Sequence, residues 1–185
     1  GLVGSEMCIR DSAGIAHVVV PGRLQRIDEG QDYLAIVDYA HKPAAVAAVI
    51  ATLRSEIKGR LCVVLGAGGD RDASKRAIMG REAARGSDLF IVTDDNPRSE
   101  DPAVIRAAVE AGAYELPTEE RGEVRNIGDR AAAIRAAIAW AEPGDAVLVA
   151  GKGHETGQNV NGVIHHFDDR EEVRAALQER RTGSL

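Results

Sequence analysis

Four short stretches hold most of the side chains able to do chemistry. They are Asp38-Tyr39-Ala40-His41-Lys42-Pro43, Gly66-Ala67-Gly68-Gly69-Asp70-Arg71-Asp72, Asp94-Asp95-Asn96-Pro97-Arg98 and Gly151-Lys152-Gly153-His154-Glu155. A guanidinium such as that of Arg71 or Arg98 grips a carboxylate through two parallel hydrogen bonds. The carboxylates of Asp95 and Glu155 can pair with an ammonium, and the Asn96 amide offers both donor and acceptor. Each stretch alone also reads as a solvated turn. Asp-Asn-Pro is a good turn by itself, Arg71 can pair with Asp70 or Asp72, and Glu155 can be a loop acid. Yet all four directly follow apolar runs, and open α/β sheets bind ligands just outside the carboxyl ends of their strands. Four polar loops at four such ends point to one site.

The elements that must position these loops are legible in the period of the apolar residues. Tyr33–Val37, Leu61–Leu65, Leu89–Thr93 and Ala146–Ala150 are apolar at consecutive positions, as strands buried on both faces are. Val124–Ile127 is a weaker fifth strand, and His17–Arg26 opens the domain as a sixth. Between them, helical stripes begin at Pro43, Ser74, Asp101-Pro102, Asp129 and Asp169. Gly59, Gly112 and Pro143 read as stops, and Asp169 with Glu172 has the spacing of a capping box. Strand and helix alternate, which predicts an α/β fold: a Rossmann-like, mostly parallel sheet with helices on both faces, in a single domain. Residues 1–12 share no period with the rest and read as a disordered leader that need not be native to the domain, which then spans 13–185.

Composition narrows the partners. The 185 residues carry a net charge of −6 and only 3% aromatics, so neither a basic face nor stacking platforms for nucleic acid are expected. No apolar run approaches membrane-spanning length. Cys8 and Cys62 form no metal or disulfide pattern, which fits a reducing cytoplasm. Adjacent His165 and His166 would point to opposite faces of a strand, so no metal site is expected there. Gly66, Gly68 and Arg71 fill the three glycine positions of a GxGxxG frame, so its third glycine is missing. A phosphate-cradling GxxxxGK[ST] loop is absent as well.

Taken in order and spacing, Val20-Pro21-Gly22-Arg23, DYAHKP, GAGGDRD, TDDNPR and GKGHETGQ resemble the C-terminal third of the Mur ligases. The type they are most similar to is MurE, which adds meso-diaminopimelate to UDP-N-acetylmuramoyl-L-alanyl-D-glutamate in peptidoglycan synthesis. The resemblance covers roughly residues 13–180. It implies a C-terminal, amino-acid-binding domain of an ATP-dependent amide-forming ligase of the cytoplasm. ATP and Mg2+ would be held mainly by a central domain outside this sequence, as would the UDP-sugar site, and the piece alone would not turn over. No catalytic residue is assigned to this stretch.

What the resemblance assigns is binding. Arg71, Asp95, Asn96, Pro97, Arg98, Gly151 and Glu155 match the family's diaminopimelate contacts, with Arg98 of the DNPR motif reading the distal carboxylate that lysine lacks. Arg23, Asp38 and His41 match positions that reach ATP. Lys152 and His154 read as loop-shaping. A reading of another class stays open: a non-catalytic module holding a small acidic ligand or a nucleotide.

Overall fold

The computed structural model describes residues 20–185; the expected leader, residues 1–12, and the first three positions of the expected opening strand, 17–19, lie outside them, and of the described rest of that stretch only Gln25–Arg26 is strand. Six strands form one sheet: β1 (Gln25–Arg26), β2 (Leu34–Asp38), β3 (Leu61–Leu65), β4 (Leu89–Val92), β5 (Glu123–Asn126) and β6 (Ala146–Ala150). Their order is β1-β2-β6-β3-β4-β5; β1 runs antiparallel to β2, and every other neighbouring pair is parallel. β3, β4 and β6 are buried at every position, which is why they read as continuous apolar runs.

Helices cover both faces, as expected. α1 (Pro43–Glu56), α2 (Lys75–Gly86) and α3 (Pro102–Tyr114) pack on one face, where Val46, Leu53, Met79 and Val109 meet Val63, Phe90 and Leu148. α4 (Arg130–Trp140) and α5 (Asp169–Arg181) cover the other, where Ile134, Ile138 and Val173 meet Val64, Ile91 and Val149. Pro43 stands in the first turn of α1, and the Asp101 and Asp129 side chains cap α3 and α4 by accepting from Ala103 N and Ala132 N. Cys62 is wholly buried, and that burial raises its thiol pKa, so it packs as an inert apolar residue.

Two helix ends differ from expectation. α5 is capped by Asp168, which accepts from Arg170 N. Asp169 is instead a helical residue whose carboxylate is drawn inward to Arg130, so it cannot serve as the cap. α3 also continues past Gly112, where a Cβ would lie 1.7 Å from the Ala77 carbonyl oxygen. Gly112 is thus a packing residue between α2 and α3, not a stop. One element was not anticipated as a unit: a hairpin of β7 (Gly157–Val160) and β8 (Val163–His166), joined by Asn161 and Gly162 at φ of 53° and 80°.

Candidate functional site

The loops after β2, β6, β3 and β4 leave four adjacent strands at their carboxyl ends, and a cleft of about 400 Å³ lies between them. Arg71, Asp95, Asn96, Arg98, Gly151 and Glu155 all line it, as does His41. Pro97 does not; it is buried. The glycine loop after β3 is shaped by its neighbour. A Cβ on Gly69 would lie 1.9 Å from the Pro97 carbonyl oxygen, and Gly69 N donates to the Asn96 carbonyl at 2.8 Å. Gly66 is also tight, with a Cβ falling 2.4 Å from the Thr93 carbonyl oxygen, so these glycines serve close approach of two neighbouring segments.

Arg98 has φ of 53°, a left-handed conformation that a non-glycine residue keeps only when its surroundings impose it. β7 imposes it. Arg98 N donates to the Asn159 carbonyl at 2.9 Å, and Asn161 N donates to the Arg98 carbonyl at 2.7 Å. Asn159 N donates to Asn96 Oδ1 at 2.9 Å, and Gln158 Nε2 to the Asp95 carbonyl at 2.8 Å. The Arg98 guanidinium gives one hydrogen bond, Nη1 to the Gly69 carbonyl at 2.7 Å, and forms no ion pair among the described residues. Its other donors remain for a ligand.

Arg71 is exposed, and its only hydrogen bond to the described residues is a long one, 3.4 Å, to the Asp70 carbonyl. The alternative pairing with Asp70 or Asp72 does not form. Asp70 accepts from Ser99 Oγ at 2.7 Å, and that bond keeps its carboxyl below the usual range. Asp72 is engaged by Ser74 and Lys75. Arg71 is thus free to meet a carboxylate.

Three cations are buried here: Arg130 and Arg76, which carry no sequence expectation, and Lys152, expected only to shape its loop. Lys152 is fully buried, its Nζ 3.2 Å from Asn96 Oδ1 and 3.4 Å from both Asp95 Oδ1 and Glu155 Oε2. Arg130, beneath the cleft, donates to both Asp169 oxygens at 2.8 Å, to the Ala150 carbonyl at 2.9 Å and to the Asp94 carbonyl at 3.3 Å. Burial alone would lower its pKa; the Asp169 charge and hydrogen bonds outweigh burial and raise it. Arg76 forks onto Glu100 at 2.8 and 2.9 Å and donates to the Gly68 carbonyl at 3.2 Å. One-dimensional spacing does not mark Arg130 or Arg76, whose acidic partners lie 39 and 24 positions away, or the Lys152 partners on the other loop, 56 and 57 positions away.

Beside the cleft, Arg23, Asp38 and His41 gather around Tyr39. Arg23 lies 5.6 Å from the ring centroid, and the His41 ring lies 4.5 Å from it. The Asp38 carboxylate holds the chain locally, accepting from Leu24 N at 2.8 Å and Ala40 N at 2.7 Å. Neither Arg23 nor Asp38 lines the cleft itself. His165 and His166 are exposed on β8, and His166 pairs with Glu171 at 2.7 Å. Among the described residues no cluster of three His, Cys, Asp or Glu could hold a metal ion, and no helix is long and apolar enough to cross a membrane.

Charged loops gathered at the carboxyl ends of a parallel sheet are the arrangement in which open α/β folds bind small molecules. The chain belongs to the Mur ligase family: residues 22–153 match its "Mur ligase, glutamate ligase domain". Among curated relatives, the UDP-N-acetylmuramoyl-L-alanyl-D-glutamate–2,6-diaminopimelate ligase of Corynebacterium glutamicum is 66% identical over 174 residues, covering 93% of this chain and 34% of that protein. The ligase of the same name from Streptomyces coelicolor is 57% identical over 166 residues, covering 89% of this chain and 33% of the relative. The chain therefore spans about a third of these proteins. A solved structure of a ligase of that name superposes with a TM-score of 0.81 at 38% identity, over 94% of this chain and 37% of its own. The fold is shared more widely: a Mycobacterium tuberculosis folylpolyglutamate synthase complexed with ADP and AMPPCP superposes at 0.53 with 22% identity, over 92% of this chain and 34% of its own.

Proposed function

We propose that this chain is the amino-acid-binding domain of a cytoplasmic ligase that joins meso-diaminopimelate to UDP-N-acetylmuramoyl-L-alanyl-D-glutamate. The observation that carries the reading is the convergence of Arg98, Asp95, Asn96, Glu155 and Arg71 on one cleft. Diaminopimelate has an ammonium and a carboxylate at each end. Arg98 grips the distal carboxylate, Asp95 and Glu155 take the distal ammonium, and Arg71 takes the near carboxylate. The near amine is left unclasped, so in its neutral form it can attack an activated carbonyl carbon. The C–N bond then forms, the carbon–oxygen bond to the phosphate breaks, and the nitrogen releases one proton to the departing phosphate or to solvent. The chain's task is orientation, which lowers the barrier by fixing the amine before the reaction.

ATP, when bound, supplies the phosphate that activates the dipeptide carboxylate. The polar groups around Tyr39 fit the edge of such a nucleotide: Arg23 can donate, and the His41 Nε2 of the neutral ring can accept, since His41 Nδ1 carries its proton toward the Tyr39 carbonyl at 2.9 Å. Asp38 holds that corner in shape. In this reading Mg2+ is held by a neighbouring ATPase domain, and none of the residues assigned here is a metal ligand.

Calorimetric titration of the chain with meso-diaminopimelate, with L-lysine as control, tests the reading. Diaminopimelate should bind at least tenfold more tightly, and Arg98→Ala should remove most of that difference. A charge-assisted contact of this kind contributes about 1.5–3 kcal/mol. Equal affinity for the two amino acids would defeat the assignment of Arg98.

A further inference from the structure

We infer that Lys152 is a positioning residue that builds the ammonium-recognising corner of the cleft. The inference rests on the reading above and adds a residue to it. An ammonium ion buried with no water access is expensive unless its protons meet acceptors. Lys152 is 0% exposed, and its Nζ has three acceptors, on Asp95, Asn96 and Glu155. All three acceptor residues line the cleft. They come from two loops, after β4 and after β6, so the ammonium ties the two loops together.

The tie leaves specific atoms for a ligand. Lys152 takes Asp95 Oδ1 and Glu155 Oε2, and Asn96 Nδ2 also reaches Glu155 Oε2 at 3.3 Å. Asp95 Oδ2 and Glu155 Oε1 accept no hydrogen bond from the described residues. Two carboxylates and one lysine leave this corner with a net charge of −1, which matches one ammonium. Without Lys152 the carboxylates would repel each other and Asn96 would lose a partner, so the corner would open. Arg130, the other nearby cation, fixes the strand ends beneath through the Asp94 and Ala150 carbonyls but bonds to neither carboxylate. It cannot replace the lysine.

The test compares the intact chain with Lys152→Met, with circular dichroism to establish folding, and reads meso-diaminopimelate affinity by calorimetry. At least tenfold weaker binding in a folded variant is expected. Unchanged affinity overturns the proposal, and so does tighter binding, which would make Lys152 only a competitor for the ligand's place. Adding Glu155→Gln to Lys152→Met should cost little more, because the corner is already open; fully additive losses would mean that the two side chains act independently.

A ligand-free readout separates failure of this proposal from failure of the functional reading, and it also serves if Lys152→Met does not fold. The Lys152 ammonium protons should give an NMR signal protected from solvent exchange in the intact chain, and Glu155→Gln should weaken that protection. A freely exchanging ammonium in the intact chain overturns the clasp whether or not diaminopimelate binds. A protected signal together with calorimetric silence would support the clasp and count against the isolated chain as a diaminopimelate binder.

Discussion

The two ends of the central sheet use the same side chains in opposite ways. At the amino ends, the Asp145 carboxylate accepts from Arg60 N at 2.7 Å, from Arg60 Nη2 at 2.6 Å and Nε at 3.2 Å, and from Glu142 N at 2.9 Å. Asp88, though exposed, likewise accepts from Arg54 Nη2 at 2.7 Å and Leu61 N at 2.8 Å. At the carboxyl ends, Asp95 is almost as buried, yet its single side-chain contact is Lys152 at 3.4 Å. A buried carboxylate surrounded by short donors is structural, because its hydration has been fully replaced. One with a single long contact and a free oxygen lining a cleft keeps capacity for a ligand. Degree of satisfaction, more than burial or charge, separates scaffold from site here.

The largest effect should come from the residue that joins the two regimes. Arg130→Met leaves Asp169 charged and buried without a partner, and breaking such a pair costs about 3–5 kcal/mol. Chemical denaturation should show that loss; a midpoint within error of the parent would mean that the pair is dispensable. At the amino ends, Asp145→Asn removes charge-assisted bonds and should destabilise by roughly 1.5–3 kcal/mol. Its affinity for diaminopimelate should stay unchanged, and a parallel loss of binding would erase the contrast between the two ends. Glu155→Gln should weaken ligand binding while lowering stability by at most about 1 kcal/mol, because the glutamine oxygen can still accept from the buried Lys152.

The smallest effect concerns the exposed pair on β8. The hydrogen bond from His166 to Glu171 raises the imidazole pKa above its ordinary 6.5. A raised folded pKa means that the pair stabilises fully below the unfolded value and stops doing so as pH rises through the folded one. Thermal stability should therefore fall slightly from about pH 6.5 upward. His166→Gln should flatten that slope, and salt should weaken it in the parent. A slope untouched by His166→Gln would place its origin elsewhere.

The sheet and its helices were legible because burial on two faces writes itself as runs of apolar residues, and helix starts write themselves as Pro43, Asp101 and Asp129. β5 was harder to read: it is an edge strand with exposed ends, so its apolar signal is diluted. The hairpin carried a readable sign in Asn161-Gly162, a turn pair suited to positive φ, but its strands are polar and exposed and lack an apolar run. Most of the cleft residues were legible because each sits directly after a strand. Lys152 is legible only as a loop-shaping residue, because a lysine in a glycine loop is ordinarily solvated and its burial against Asp95 and Asn96 comes from the neighbouring loop.

The sequence by itself determined the order of strands and helices, the family, and which four loops carry charge. These follow from local period, capping and motif spacing, all of which act over a few residues. Only the tertiary structure decided which of those charges remain available. Asp38 turned to its own backbone, Asp169 left its capping role for Arg130, and Asp70 was taken by Ser99. Arg71 and Arg98 were left without ion pairs among the described residues. A charged group's availability depends on who arrives beside it in space, and for Lys152 and Asp95 that partner lies 57 residues away along the chain.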